Sequence, residues 1–133
     1  MLRYDLYRSV HKFLRKELYQ FGGELGKTDF RKIEAVTGIK DSFNKTVFDL
    51  KMHAQKEEAH FNQQDELMEF QGIFENAIKT VDDEERVIQG CHICSSYDRF
   101  LSNNLLHFNQ EETILMPELW HLYSDKELQH VTV

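Results

Sequence analysis

The sequence predicts an all-α protein, an up-down-up-down four-helix bundle followed by a short C-terminal helix. Three observations lead to this fold class. Apolar residues recur every three or four positions over long stretches, the 133 residues include only six glycines and one proline, and no run alternates like a strand. A chain of this length buries enough surface to fold without disulfides, and we expect one domain over residues 1–133.

The first predicted helix carries an apolar stripe and should end at the glycine pair 22–23, because glycine is common just past helix ends. The second should begin with Thr28 or Asp29 as its N-cap and run to Phe61, with Gly38 as a bend or a break. The stripe of the first helix has steps of four and three residues and consists of Tyr7, His11, Leu14, Leu18 and Phe21.

The polar residues 62–66 predict the reversal into a third, shortest helix, whose apolar stripe covers residues 67–78. Asp82 and Glu85 have capping-box spacing and should begin a fourth helix of about thirty residues, with Pro117 near its end. A second capping-box spacing precedes the segment DKELQH and predicts the short terminal helix.

The formal net charge is −7, and no segment is rich in lysine and arginine. This charge argues against a nucleic-acid surface and against an anionic membrane patch, so we expect neither partner. No apolar run is long enough to span a membrane, and the N-terminal segment MLRYDLYRSVHKFLRKEL is unlike a secretory signal. We therefore expect a cytoplasmic protein.

Polar residues lie on three of the predicted core stripes: His11, His53 and His107, with Glu57 and Glu111 four residues after the latter two. In an antiparallel bundle these five positions reach the same end. One such residue alone is more often an ordinary core or hydrogen-bonding residue, but a buried carboxylate costs several kcal/mol unless a positive partner meets it. Imidazoles and carboxylates from several helices form non-haem di-iron or di-manganese centres, which is the site we predict.

Three segments carry a resemblance to a known family: VHKFLRKEL at residues 10–18, KMHAQKEE at 51–58 and LLHFNQEETILMPEL at 105–119. Together they resemble the haemerythrin-like family, also called the HHE cation-binding domain. The resemblance implies two iron ions, cycling between Fe²⁺ and Fe³⁺, with Glu57 and Glu111 bridging them. The ligands it implies are His11, His53, Glu57, His107 and Glu111.

The third helix departs from the family pattern, which usually has a histidine there, because this chain has none in that helix. His60 follows His53 by seven residues and would supply the missing terminal ligand if the second helix frays just before it. Glu69 or Glu66 is the substitute candidate, and an open coordination position is the third possibility. Glu112 is expected to face solvent or to support a ligand.

The resemblance implies reversible binding of dioxygen or a similar diatomic ligand, for storage, delivery or sensing. Its apolar pocket would come from Leu14, Leu50, Phe108 and Ile114. One alternative is a di-iron enzyme acting on peroxide or nitric oxide, or in repair of iron–sulfur clusters. Another is an iron sensor acting through a partner protein. No general base is apparent beyond the ligands, so a binding protein is preferred over an enzyme.

The segment CHIC contains both cysteines, Cys91 and Cys94. A zinc ribbon needs a second such pair, and haem attachment needs a histidine after the second cysteine, where Ser95 stands. We therefore expect small buried thiols that do not bind metal, three to four helical turns from His107.

Overall fold

The computed structural model describes residues 3–54 and 63–130, and this part of the chain is almost entirely helical, without a strand among the described residues. The all-α prediction is confirmed. Helices α1 and α3 each contact both α2 and α4. None of the described helices is both long and apolar enough to cross a membrane. The elements are α1 (Arg8–Gly26), α2 (Ile33–Ala54), α3 (Gln63–Lys79), α4 (Asp83–Gln110), a π-helical turn (Glu111–Leu115), α5 (Met116–Leu122) and α6 (Asp125–Leu128).

An aromatic cluster joins the four long helices at the centre of the core. Phe43 of α2 stacks on Phe70 of α3 at 4.5 Å between ring centroids and lies 5.4 Å from Phe21 of α1. Tyr97 of α4 meets Phe21 edge-on at 4.8 Å, and its hydroxyl donates to the Leu18 carbonyl at 2.6 Å. The buried phenol therefore keeps a hydrogen-bond partner, as buried tyrosines usually do.

Helix α1 ends at Gly26, so the predicted end at residues 22–23 is wrong. Leu25 is buried and continues the apolar stripe by one more turn. A Cβ on Gly22 would lie 3.2 Å from Cε1 of Tyr97. Because glycine has no Cβ, α1 and α4 can approach closely at position 22. This close approach explains why a glycine lies in the interior of α1, where the sequence predicted the end of the helix.

Helix α2 begins later than predicted, at Ile33. Asp29 caps a turn instead of the helix: its carboxylate accepts from the Arg31 N–H at 3.0 Å and its carbonyl accepts from the Lys32 N–H at 3.1 Å. Gly38 lies within α2, so it does not break the helix. The prediction that Thr28 or Asp29 is the N-cap is therefore wrong.

Two of the later boundaries agree with the sequence and one does not. Asp82 caps α4, although its side chain accepts from the Glu84 N–H and not from Glu85. Ser124 and Glu127 form the expected capping box of α6. Residues 63–66, predicted to belong to a reversal, are already helical because α3 begins at Gln63.

A second, smaller hydrophobic cluster covers the C-terminal helices and consists of Leu6, Tyr7, Met116 and Leu128. The segment before α1 packs against α5 at this cluster. There the Leu6 N–H contacts Sδ of Met116 at 3.3 Å, and the Trp120 indole donates to the Tyr4 carbonyl at 2.6 Å. These contacts hold the two ends of the described chain together.

Arg86 is a buried cation at the start of α4, only 2% exposed, and its burial was not predicted. Its guanidinium donates hydrogen bonds to both the α3–α4 connection and the α1–α2 connection. It donates to the Thr80 carbonyl at 3.0 Å, to the Arg31 carbonyl at 2.9 Å, to the Phe30 carbonyl at 3.4 Å, and to the Asp83 carboxylate.

Two helical glycines should respond in opposite directions to replacement by alanine. A Cβ on Gly90 would lie 2.4 Å from the Phe30 ring, whereas Gly38 has no heavy atom within 4 Å of that position. We expect Gly90→Ala to lower the free energy of unfolding by about 1–3 kcal/mol through overpacking. Gly38→Ala should raise it by about 1 kcal/mol through helix propensity. Urea unfolding measures both, and a Gly90→Ala variant as stable as the parent would contradict the packing.

Candidate metal centre

Three of the predicted ligands come together around one carboxylate oxygen. Glu111 follows the last residue of α4 and is 2% exposed. Its Oε1 lies 3.2 Å from Nε2 of His11 and 3.5 Å from Nε2 of His107. His11 is fully buried on α1, whereas His107 is partly exposed one turn before Glu111. The cluster therefore joins α1 to the end of α4.

The His11 ring stacks on two aromatic rings. It stacks on Phe108 at 4.4 Å and on Tyr7 at 5.3 Å, measured between centroids. Tyr7, His11 and Leu14 follow helical spacing, so the periodicity that buries the stripe also buries the imidazole. Stacking restricts the plane of the ring, and its nitrogens face Glu111 and Glu112.

Glu112 occupies the other side of the same imidazole. Its Oε2 lies 3.2 Å from Nδ1 of His11, and Arg15 donates to both of its oxygens, at 3.1 and 2.5 Å. Burial alone would raise the pKa of Glu112, but hydrogen bonds from Arg15 and His11 outweigh it and lower the pKa. Glu112 thus stays ionised at neutral pH. Of the two expectations for this residue, facing solvent or supporting a ligand, its contact with His11 agrees with the second.

A carboxylate on Nδ1 is the usual arrangement for a metal-binding histidine, because it fixes the tautomer that leaves Nε2 toward the metal. Two ligands bonded to one ion at about 2.1 Å and at angles of 90–109° lie about 3.0–3.4 Å apart. The 3.2 Å between Nε2 of His11 and Oε1 of Glu111 falls in that range. The nitrogen and oxygen donors also suit iron, zinc or manganese.

A π-helical turn follows α4 directly and was not predicted. The Met116 N–H donates to the Glu111 carbonyl, five residues earlier, and the next buried residue after Glu111 is Met116. Ile114 is 58% exposed, so its predicted place in the apolar pocket is wrong. An α-helix would have turned residue 114 or 115 inward, and the wider turn moves this position outward.

Pro117 was the one sequence signal for the π turn. It lies in the first turn of α5, and the helix continues to Leu122, so the predicted end near Pro117 is wrong. Proline lacks the N–H that an α-helix needs and its ring crowds the carbonyl four residues earlier. A wider turn just before it relieves both problems. Such turns often occur at functional sites.

The other three residues of the predicted apolar pocket are buried, and their role beside a metal stays a prediction. Leu14, Leu50 and Phe108 are buried. Asn104 is buried one turn before Phe108, and its amide donates to the Phe100 carbonyl at 2.8 Å. Of these side chains, Phe108 contacts the His11 ring directly.

The α2 side of the predicted site is described only in part. His53 lies in the last turn of α2 as described, and Glu57 and His60 lie outside the described residues. Among the residues that the structure describes, no three histidine, cysteine, aspartate or glutamate side chains are arranged so that they could hold a metal ion, and His11, His107 and Glu111 by themselves are no exception. The roles of His53, Glu57 and His60 stay predictions.

Glu69, a substitute candidate for the third helix, is exposed and lines a surface groove with Ser96 and Arg99. Arg99 precedes His107 by eight residues on α4, which is about 12 Å of helix. Glu69 therefore lies beside a part of α4 that is about two turns from His107, and its role as the substitute for the missing histidine stays a prediction. Glu66 lies in the first turn of α3.

The two thiols lie far from the cluster, but the prediction that both are buried is wrong. Cys91 is exposed and Cys94 is half-buried. Both line a surface groove between α4 and the α1–α2 connection. Cys94 precedes His107 by thirteen residues of α4, or about 20 Å. Neither thiol can share a metal with His107.

The two thiols should react at different rates. Burial raises the pKa of Cys94, and the thiolate is the reactive form, so Cys94 should be alkylated several-fold more slowly than Cys91. Mass spectrometry of tryptic peptides during iodoacetamide labelling measures both rates. The Cys91→Ser and Cys94→Ser variants identify each rate, and equal rates would contradict the described exposure.

Comparison of the chain with models of protein families and with curated proteins finds no match. The contacts of His11, Glu111 and Glu112 therefore carry the functional inference.

Proposed function

We propose that the chain is a haemerythrin-like protein that binds two iron ions and takes up dioxygen or a similar diatomic ligand reversibly, for storage, delivery or sensing. The observation that carries the proposal is the approach of two imidazoles to one buried oxygen of Glu111. The proposed ligands are His11, His53, Glu57, His60, His107 and Glu111.

The helix contacts support the bundle that this proposal needs. Each of the four long helices contacts two others in a closed cycle, α1 to α2 to α3 to α4 and back to α1. Such a cycle is typical of an up-down-up-down bundle with short connections. In that topology the start of α1 and the ends of α2 and α4 share one end, where His11, His53 and His107 would meet.

The cost of burial also favours a cation at this site. A fold that needed only packing would put an apolar residue at position 111, since burying a carboxylate costs several kcal/mol without a positive partner. Carboxylate oxygens face both nitrogens of His11. A proton on Nε2, or a metal ion in its place, supplies the positive charge that Glu111 requires.

Two bound irons would supply the redox chemistry for a diatomic ligand. The chain's own residues prepare the site for them. Glu112 and the stacked rings of Tyr7 and Phe108 hold the His11 imidazole in one orientation. Leu14 and Phe108 exclude water from the α1 side, which protects an oxidisable centre from bulk solvent.

One observation favours an iron sensor as the second candidate function. The Arg15–Glu112 ion pair links His11 to the outer face of α1, where Arg15 is partly exposed. A change in charge at His11 would therefore reach a surface that a partner protein can contact.

Iron quantitation and visible spectra test the proposal. After anaerobic reconstitution with Fe²⁺, we expect two irons per chain and a visible band that appears with oxygen and disappears when oxygen is removed. One iron per chain would contradict the di-iron centre. Irreversible oxidation would exclude an oxygen carrier, and turnover of peroxide or nitric oxide would then identify an enzyme.

The His60→Ala variant tests the least certain ligand. If His60 is a terminal iron ligand, its replacement should remove about one iron per chain while helix content stays near normal. Glu69→Gln is the matched control, because Glu69 is exposed and lines a groove beside Arg99, which precedes His107 by about 12 Å of α4. Full iron content in His60→Ala together with loss in Glu69→Gln would reverse the assignment.

A further inference from the structure

The outer face of α1 carries a row of basic side chains beside a groove. The basic residues recur at steps of four, three and one, so they share one side of the helix. The groove has a volume of 470 Å³ and is open to solvent along its length. We call it the α1 basic groove, and its lining residues are Arg8, Lys12, Arg15, Lys16, Tyr19 and Glu112.

The groove is positive although the chain as a whole is negative, with a net charge of −7. Glu112 is its one acidic lining residue, and Arg15 holds that carboxylate with two hydrogen bonds. Arg8 is 72% exposed and approaches Asp5 only to 4.0 Å. Within the described part of the chain, Lys12 and Lys16 form no ion pair. Three cations of the groove are therefore available to an anionic partner.

The shape of the groove selects among anionic partners. From Arg8 to Tyr19 it follows about 16 Å of helix, which is longer than a single phosphate or carboxylate can span. About five residues of extended chain cover the same length. A membrane surface or a nucleic acid is broad, and it would also meet the acidic remainder of the surface. A narrow acidic segment meets only the groove.

We propose that the α1 basic groove docks an acidic segment of a partner protein. Arg8, Lys12 and Lys16 would pair with its carboxylates, and the exposed ring of Tyr19 and the lysine methylenes would cover its apolar atoms. Docking there is independent of whether the chain binds iron. It would nevertheless bring the partner next to Arg15, one ion pair away from Glu112 and the buried His11.

Binding of a fluorescein-labelled hexaglutamate peptide to the full chain tests the proposal by fluorescence anisotropy at low ionic strength. We expect saturable binding that weakens with salt. The double variant Lys12→Glu with Lys16→Glu should weaken it about tenfold or more, because two attractive charges become repulsive. Lys32→Glu with Lys45→Glu is the matched control, since it makes the same change in net charge at exposed positions outside the groove.

Several outcomes would overturn the proposal. Absence of peptide binding, or equal weakening in both double variants, would show that the groove does not recognise an acidic segment. Inorganic phosphate, phosphatidylserine vesicles or duplex DNA bound more tightly than the peptide, with loss in the Lys12/Lys16 variant, would assign another occupant. Circular dichroism should show normal helix content in both variants, and an unchanged iron content would separate this result from the test of the proposed function.

Discussion

We expect iron to raise the melting temperature of the parent protein, and the Glu111→Gln variant should lose that rise. With Fe²⁺ at a hundred times its dissociation constant, binding stabilises the folded chain by about 2.7 kcal/mol, or roughly 10 °C in Tm. Glutamine has nearly the same shape but lacks the negative charge that a bridging ligand needs, so the variant should show a rise close to zero. Anaerobic thermal unfolding with and without Fe²⁺ measures the difference.

Glu118→Gln serves as the control for that experiment, because Glu118 is exposed on α5 and its replacement removes the same charge. It should keep the full iron-dependent rise in Tm. Circular dichroism of metal-free Glu111→Gln establishes that the variant is folded. If the folded variant binds iron as the parent does, Glu111 is only a core partner of His11 and the proposed site is wrong.

The Arg86→Met variant should lower the free energy of unfolding by about 3–5 kcal/mol, the largest stability effect that we expect. Methionine fills part of the space but leaves the carbonyls of Phe30, Arg31 and Thr80 without the donor that now reaches them. The Phe30 carbonyl contact is buried and the other two are partly buried, and a carbonyl that loses a charged donor away from water costs more than the bond itself contributed. Urea unfolding followed by circular dichroism gives the value.

Arg99→Met is the corresponding control, because Arg99 is exposed on the same helix. Its effect should stay within about 0.5 kcal/mol, as for most surface substitutions. A loss below about 1 kcal/mol for Arg86→Met would mean that water satisfies the three carbonyls equally well. The connections before α2 and α4 would then not depend on the guanidinium.

Helical periodicity predicted the helices and much of the core, because burial repeats with the helical turn. Tyr7, His11, Leu14 and Leu18 lie on the buried side of α1 as their spacing required. The helix ends were harder to predict, because a local signal has a different meaning in tertiary context. Gly22 resembles a stop signal, yet the Tyr97 ring that makes a small residue useful there comes from another helix.

Within the candidate site, sequence spacing predicted the approach of His107 to Glu111 and the burial of His11. It left open whether Glu112 faces solvent or supports a ligand, because nothing in the spacing around Glu112 identifies a partner on another helix. Arg86 was missed for the same reason, since its carbonyl partners at residues 30 and 31 come from a distant connection. Charges that are satisfied across the fold leave no periodic signal in the sequence.

The π-helical turn at Glu111–Leu115 acts as a one-residue insertion that sets the rotational phase of the chain after it. Removing one residue, such as Thr113, would restore the α-helical count and rotate α5 by about 100° relative to α4. Met116 would then swing away from Leu6, whose N–H now contacts its sulfur at 3.3 Å. A single deletion beside Glu111 would thus uncouple the segment before α1 from the C-terminal helices.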